Sequence, residues 1–370
     1  MHSLVAFLLA IILALPIAIA PQAQEKSPPQ EKTKCGTVIP PEQLKVEMAR
    51  RKAIAATEID PPTQDPYYLP MTIHITHPSN GAGDFTLDEL AIAMRDLNRM
   101  WQQVGIQFFI YGEIDHIYND IYYHIPDEKA KRDALRQVNV VPNTINVYFT
   151  YLDAMCGQST FTGDPIQGVL ISIGCAGVAN NPSTFAHEVG HYLDLYHTHE
   201  TAMGFECPSG NNCETAGDLL CDTPADPDQS LWGWKWWTPC GYFEPAPTPA
   251  GCDMTAYNPP TRNLMSYARA SCVSEFTPQQ IARALGTLRN ATNRKNLINS
   301  GKFYVDPLAS DSNTQCTPTA PCRTVEKAVQ AARDGAFIYL KPGIHPASSV
   351  SGKKLTLMRW GTAGVAELKP

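Results

Sequence analysis

The segment His187-Glu188-Val189-Gly190-His191, with His197 ten residues after His187, constrains this 370-residue chain more than any other feature. Two imidazoles at i and i+4 lie one turn apart on the same face of a helix, the spacing that two ligands of one metal ion require. Glu188 projects beside them, and His197 supplies a third nitrogen. Three neutral imidazoles on Zn²⁺ leave a fourth position for water, the condition that separates catalytic from structural zinc sites. Glu188 is then the expected general base, taking a proton from the attacking water and delivering it to a leaving amine. The plain alternative is a surface helix with scattered histidines.

The N-terminus sets the compartment. Leu4 to Ala20 is an apolar run followed by the polar segment Gln22 to Lys34, which reads as a secretory signal peptide cleaved near Ala20 or Ala23. His2 but no Lys or Arg precedes the run, so an uncleaved membrane anchor is the competing reading. No other stretch reaches the roughly 18 apolar residues of a membrane span, and the mature chain is expected to be secreted and free of the membrane. The net charge is -7, and no Lys/Arg-rich run of about five to eight residues occurs, which argues against a nucleic-acid partner. A polypeptide or glycan substrate fits better. Of the eleven cysteines, ten lie between Cys156 and Cys322, too many for idle thiols in an oxidising compartment. Most are expected to be paired, Cys316 and Cys322 being close enough to staple a loop. Cys35 stands apart.

Four segments follow from the pattern: a signal peptide over 1–20, a pro-segment and linker over 21–66, a catalytic domain over 67–300 and a distinct C-terminal segment over 301–370. Residues 21–34 are too polar to fold alone, and 42–58 read as a short helix. Leu69, Met71, Ile73 and Ile75 alternate with polar partners as in a strand. Thr86 and Glu89 form a capping box ahead of a helix whose apolar face runs through Leu90, Met94, Leu97 and Trp101. Ile106 to Ile110, Asn143 to Tyr151 and Gly168 to Cys175 read as further strands, and Asn181 with Pro182 as the start of the motif helix. Residues 200–262 lack periodicity and hold five cysteines, the mark of an irregular region held by disulfides or ions. A last helix opens at Thr277-Pro278. Strand, helix, strands and helix in this order predict an α/β or α+β domain, with α+β the expected class. Residues 303–370 resemble the opening of a right-handed parallel β-helix. Solenoid rungs need neighbours, so this stretch is either a truncated piece or packs on the enzyme.

The run from His187 to Thr198 resembles the extended zinc motif of the metzincins, and of the pappalysin family in particular. Asn263-Leu264-Met265-Ser266-Tyr267 is similar to that family's Met-turn, and Gly217 to Pro224 and Phe276 to Gln280 are similar to its recurring segments. The resemblance spans about residues 67 to 295. It implies a metzincin-like domain with an upper mixed sheet, a backing helix, an active-site helix and an irregular disulfide-bearing lower half, and hence a zinc endopeptidase. Carried over by position, Met265 forms the base beneath the metal and Tyr267 stabilises the oxyanion. The strand at Gly168 to Cys175 is the edge that pairs with substrate. Cys35 is the candidate cysteine switch of a zymogen, against the alternatives of a disulfide to another cysteine or an intermolecular bridge, with Arg50-Arg51 or the Pro-rich linker after it as the release point. The acidic run at Asp218, Asp222 and Thr223, continuing through Asp226 and Asp228, is a candidate Ca²⁺ site, or else a solvated loop. Asp194 departs from the family, standing where metzincins have a glycine that lets the chain leave the helix in a left-handed conformation. On that ground Asp194→Gly is expected to be tolerated or stabilising. Trp232, Trp234, Trp236 and Trp237 crowd one loop, for glycan binding or for packing on the domain. The rival functions are an inactive metzincin scaffold that binds a polymer, and a glycan-cleaving enzyme built on the C-terminal segment.

Overall fold

The computed structural model describes residues 35–44, 46–47, 66–83, 85–227, 240, 248–253, 255–310, 312–348, 352–361 and 364–369. The signal peptide, Arg50-Arg51, Asp228 and the four loop tryptophans lie outside these residues. No helix among them is long and apolar enough to cross a membrane.

The centre is a mixed sheet in the order β2-β1-β5-β7-β6, built from β1 (Tyr67–His77), β2 (Ile106–Ile110), β5 (Ile145–Leu152), β6 (Gly157–Gln158) and β7 (Val169–Ser172). β3 (Asp115–Tyr118) and β4 (His124–Ile125) extend it beside β1 and β5, and every pairing is parallel except β6 with β7. The alternation in β1 is a strand as predicted, but its polar partners are not solvated. Thr72, His74 and Thr76 are buried as completely as Leu69, Met71 and Ile73. A central strand of a parallel sheet is covered on both faces, so each polar group needs an internal partner. His74 lies 2.8 Å from Asp115 and 3.1 Å from Asn146, Thr72 pairs with Thr144, and Thr76 donates to Phe149 O.

Helix α1 (Leu87–Trp101) starts at the capping box of Thr86 and Glu89 and buries Leu90, Met94, Leu97 and Trp101. The Trp101 indole N–H donates to Ala186 O at 3.2 Å, tying α1 to the motif helix α2 (Thr184–Tyr192). That helix begins later than expected. Asn181 Oδ1 accepts from the Thr184 hydroxyl instead of a backbone N–H, and Ser183 occupies the N-cap position. Helix α3 (Pro278–Asn290) opens with a capping box of Thr277 and Gln280.

All eleven cysteines are among the described residues. Five disulfides, Cys156–Cys175, Cys207–Cys252, Cys213–Cys221, Cys240–Cys272 and Cys316–Cys322, leave Cys35 as a free thiol. Three of the five lie in or close the irregular stretch after residue 200, where few periodic apolar residues are available to hold the chain.

The C-terminal segment forms two parallel ladders. One joins β8 (Lys302–Val305), β9 (Phe337–Leu340) and β11 (Thr356–Arg359), the other β10 (Gly343–Pro346) and β12 (Ala366–Lys369). The segment packs on the sheet. The Phe337 ring lies 4.6 Å from Phe109 and 5.0 Å from Tyr68, and Gly112 N donates to Asp334 O at 2.7 Å. Gly335 has φ +77 and a Cβ there would sit 1.9 Å from Ile110 O, so only glycine allows this approach. The C-terminal end of β2 is thereby covered.

Candidate active site

α2 presents His187, Glu188 and His191 inward, and all three are buried. The helix then stops abruptly. Leu195 N reaches back to Gly190 O at 2.9 Å, and Asp194 has φ +62, the left-handed conformation the sequence called for at this position. The turn brings His197 back under the helix, and Thr198 N donates to Met265 O at 3.1 Å.

The ring nitrogens show what the cluster is built to hold. His187 Nδ1 lies 2.6 Å from Leu264 O and His191 Nδ1 2.7 Å from Leu195 O. A carbonyl oxygen only accepts, so both Nδ1 atoms carry the proton and both Nε2 atoms present a lone pair. His191 Nε2 lies 3.1 Å from His187 Nε2 and 3.0 Å from His197 Nε2. Lone pairs facing one another at such distances repel unless a cation lies among them. Burial lowers the pKa of His187 to about 4 and takes those of His191 and His197 well below the usual imidazole value, so the rings are neutral, as metal ligands must be. The donor set therefore fits a metal ion. His199 stacks on His197 at 4.8 Å and is not part of the ligand cluster.

Met265 is fully buried beneath the histidines. Gly190 makes room for it, because a Cβ there would lie 2.5 Å from Met265 Sδ. Asn263 holds the turn in place, accepting from Met265 N at 2.8 Å while its amide pairs with Gln280.

Glu188 is fully buried, and burial pushes its pKa up to about 8 against the opposing effects of hydrogen bonds from Cys35 and Thr37 and the charge of Arg136. A Cβ on Gly157 would collide with Glu188 Cγ at 2.6 Å, so a glycine in β6 is what lets the strand pass over the carboxylate. Here one expectation is corrected. β7, within Gly168 to Cys175, is an interior strand flanked by β5 and β6, and the edge facing the site is β6, pinned by the Cys156–Cys175 disulfide.

That edge is occupied by the N-terminal segment. Cys35 bridges Gly157 in parallel, Gly36 N donates to Gly157 O at 2.9 Å, and Gln158 Nε2 donates to Gly36 O at 2.7 Å. Cys35 Sγ and nitrogens of His187, His191 and His197 all lie within 4.8 Å of one another. The Tyr267 hydroxyl donates to Cys35 O at 2.8 Å, and the Thr37 hydroxyl donates to Glu188 Oε2 at 3.1 Å. Thr37 was not legible as a site residue, since its partner lies 151 positions away and no local pattern joins them.

Asp194 does more than tolerate its conformation. Its carboxylate accepts from Thr162 N at 2.9 Å, Thr162 Oγ at 2.7 Å and Thr287 Oγ at 3.4 Å. Glycine would relieve about 1 kcal/mol of left-handed strain, but each buried donor stripped of its acceptor costs about 1–3 kcal/mol. The expectation that glycine is tolerated is therefore reversed. Asp194→Gly should lower the stability by about 2 kcal/mol or more in urea unfolding, with Asp194→Asn less affected. A glycine variant as stable as the parent would show that these bonds contribute nothing net.

The acidic run divides into two environments. Asp222 accepts from Thr277 Oγ and Gln279 N, which occupies both carboxylate oxygens at the start of α3. Asp218 is fully buried and Thr223 nearly so, and they are joined by Glu206, which the sequence pattern did not single out. Neither Glu206 carboxylate oxygen has a hydrogen-bond partner among the described residues. Asp226 accepts from Thr198 and Ser266, strapping the segment after His197 to the Met265 turn.

The peptidase family M43 profile, described as pregnancy-associated plasma protein-A, matches residues 173–289. An extracellular metalloprotease of Pyricularia oryzae is 28% identical over 270 residues, covering 68% of this chain and 86% of that protein. One from Verticillium alfalfae is 31% identical over 210 residues, and the match spans 64% of its length. Human pappalysin-1 is 30% identical over 152 residues, only 9% of that much longer protein. Among solved structures, mature mirolysin of Tannerella forsythia in complex with a cleaved peptide is 18% identical with a TM-score of 0.45, over 64% of this chain and 96% of that one. The family match falls on the segment that carries all three histidines, Glu188 and the Met265 turn, so residues 173–289 are similar to a pappalysin-type M43 peptidase domain, and the chain is a metalloprotease by that match and by the extracellular metalloproteases that share its sequence.

Proposed function

We propose that the chain is a secreted zinc endopeptidase, made as a zymogen, whose metal is held by His187, His191 and His197. The convergence of three Nε2 atoms, those of His187 and His191 deprotonated, beside a buried carboxylate and a sheet edge that already holds an extended segment carries this reading. Zinc bound there supplies a Lewis acid able to make water nucleophilic near neutral pH and to polarise a carbonyl. Glu188 takes the proton of the attacking water and passes it to the leaving amine, and its raised pKa suits both tasks. Tyr267 donates its hydroxyl proton to the oxygen on which charge develops, as it now does to Cys35 O. β6 aligns an extended polypeptide by main-chain hydrogen bonds of the kind Gly157 O accepts from Gly36 N. The secretory reading is supported by the relatives named as extracellular. Casein zymography of the processed protein should show a clearing band that a chelator removes and zinc restores. A band indifferent to chelation, or none, would overturn the reading.

In the zymogen, Cys35 supplies the fourth ligand while Thr37 and Tyr267 tie the segment across the cleft. The thiol of Cys35, free among ten paired cysteines, lies within 4.8 Å of the three histidine nitrogens, close enough that it would take the position a catalytic water needs on a bound metal. On the same reading the expected segments are a pro-segment to about residue 66 and a catalytic domain from 67 to 300.

We also infer that Glu206, Asp218 and Thr223 hold a calcium ion. The pKa of Glu206 is pushed up to about 8 by burial and by the charges of Asp218 and Asp226, and that of Asp218 to about 7, chiefly by burial. Because folding raises both values above 4.5 and 3.8, the unfolded chain loses these protons first as pH rises. The cation-free protein should therefore melt progressively lower between pH 4 and pH 8, and calcium should raise the melting temperature far more at pH 8 than at pH 5. A calcium effect equal at both pH values, or absent, would contradict the assignment.

A further inference from the structure

The segment that carries Cys35 does not end at the metal centre. Residues 41–44 and 46–47 are helical, and Gln43 and Glu47, at i and i+4, turn one polar face into the enzyme. Gln43 is fully buried. Its Oε1 accepts from Gly163 N at 2.8 Å, and its Nε2 donates to the Tyr196 hydroxyl at 3.3 Å. That hydroxyl donates to Glu47 Oε2 at 3.2 Å, and Arg283 Nη2 lies 3.5 Å from Glu47 Oε1. Ile39 and Leu44 pack with Phe161, Tyr196 and Leu219.

The receiving side is built from the catalytic domain. The Phe161 ring lies 5.5 Å from His191 and 5.3 Å from Tyr196, the residue before His197. Arg283 is held by Asp218 O at 2.7 Å and Leu219 O at 3.2 Å, so its charge is fixed in place whether or not Glu47 is present. A thiol on the metal would need none of this to act as a latch. Burying a glutamine and a glutamate is costly unless each finds its partners, and here both do.

We propose that Phe161, Gly163, Tyr196, Leu219 and Arg283 form a peptide-docking groove beside the metal centre, whose occupant is residues 39–47 of this chain, and that the groove retains this segment after the chain is cut beyond it. The proposal rests on the zymogen reading of Cys35 and extends it. Two linked contacts hold a ligand far more firmly than either alone, since release of one leaves the other at high effective concentration. A cut between residues 47 and 66 therefore yields a latent, non-covalent complex, and opening the site requires the excised piece to dissociate or be digested.

The test uses the full chain with Glu188→Gln, which prevents self-digestion and keeps an oxygen for Thr37, and with a site-specific protease sequence inserted after Lys52. After the cut, gel filtration follows the N-terminal piece. It should co-elute with the rest, should still co-elute when Cys35→Ala is added, and should dissociate at least about tenfold faster with Gln43→Ala and Glu47→Ala together. If that pair does not fold, Glu47→Gln, which removes the charge at constant volume, should give about a threefold change. Immediate loss of the piece from the parent, complete loss on Cys35→Ala alone, or an unchanged rate in the Gln43 and Glu47 variants would each overturn the groove. The readout is binding, so a wild-type chain without caseinolytic activity would sink the peptidase reading and leave this result standing.

Discussion

Glu188→Ala is expected to reduce casein hydrolysis by the processed enzyme by about 10²–10⁴-fold, the usual contribution of a positioned general base, while one equivalent of zinc stays bound. The metal should persist because the ligand geometry does not depend on this side chain. Leu264 O and Leu195 O orient His187 and His191 from outside the cleft, and the Asp194 turn delivers His197. The melting temperature should not fall either, since burying a carboxyl costs stability that alanine does not. Loss of activity together with loss of metal or of fold would point to a structural role. Activity within tenfold of the parent would mean that another group is the base.

The second large effect concerns Cys35. The uncut chain should be silent on casein, and uncut Cys35→Ala should be at least about tenfold more active than that baseline, because substrate can then displace Gly36 and Thr37 from β6. It should stay below the processed enzyme, since Gln43 and Glu47 still hold the far end of the segment. Equal activity of the two uncut proteins would contradict the latch.

What could be read from the sequence was local. A helix start written in four residues, as at Thr86 with Glu89 or Thr277 with Gln280, appears in the fold as predicted. The motif named three histidines that the fold brings together, and the left-handed turn at Asp194 followed from the family's pattern. Properties set by distant partners were not legible. The burial of the polar residues of β1 could not be read, because nothing nearby shows that Asp115, Thr144 and Asn146 will meet them. Gly168 to Cys175 read as the edge strand because β6 has only two residues, too few for any periodic signal. The stabilising role of Asp194 depends on Thr162 and Thr287, and Glu206 lies outside the acidic run that it joins in space.

The central claim is that three histidines hold zinc and that Cys35 closes the site. Zinc-edge X-ray absorption of the uncut chain tests it most directly. It should show about three nitrogen ligands near 2.0 Å and one sulfur near 2.3 Å, with the sulfur lost in Cys35→Ala. Four light-atom ligands in the uncut parent, or a chain that takes up no zinc, would contradict it.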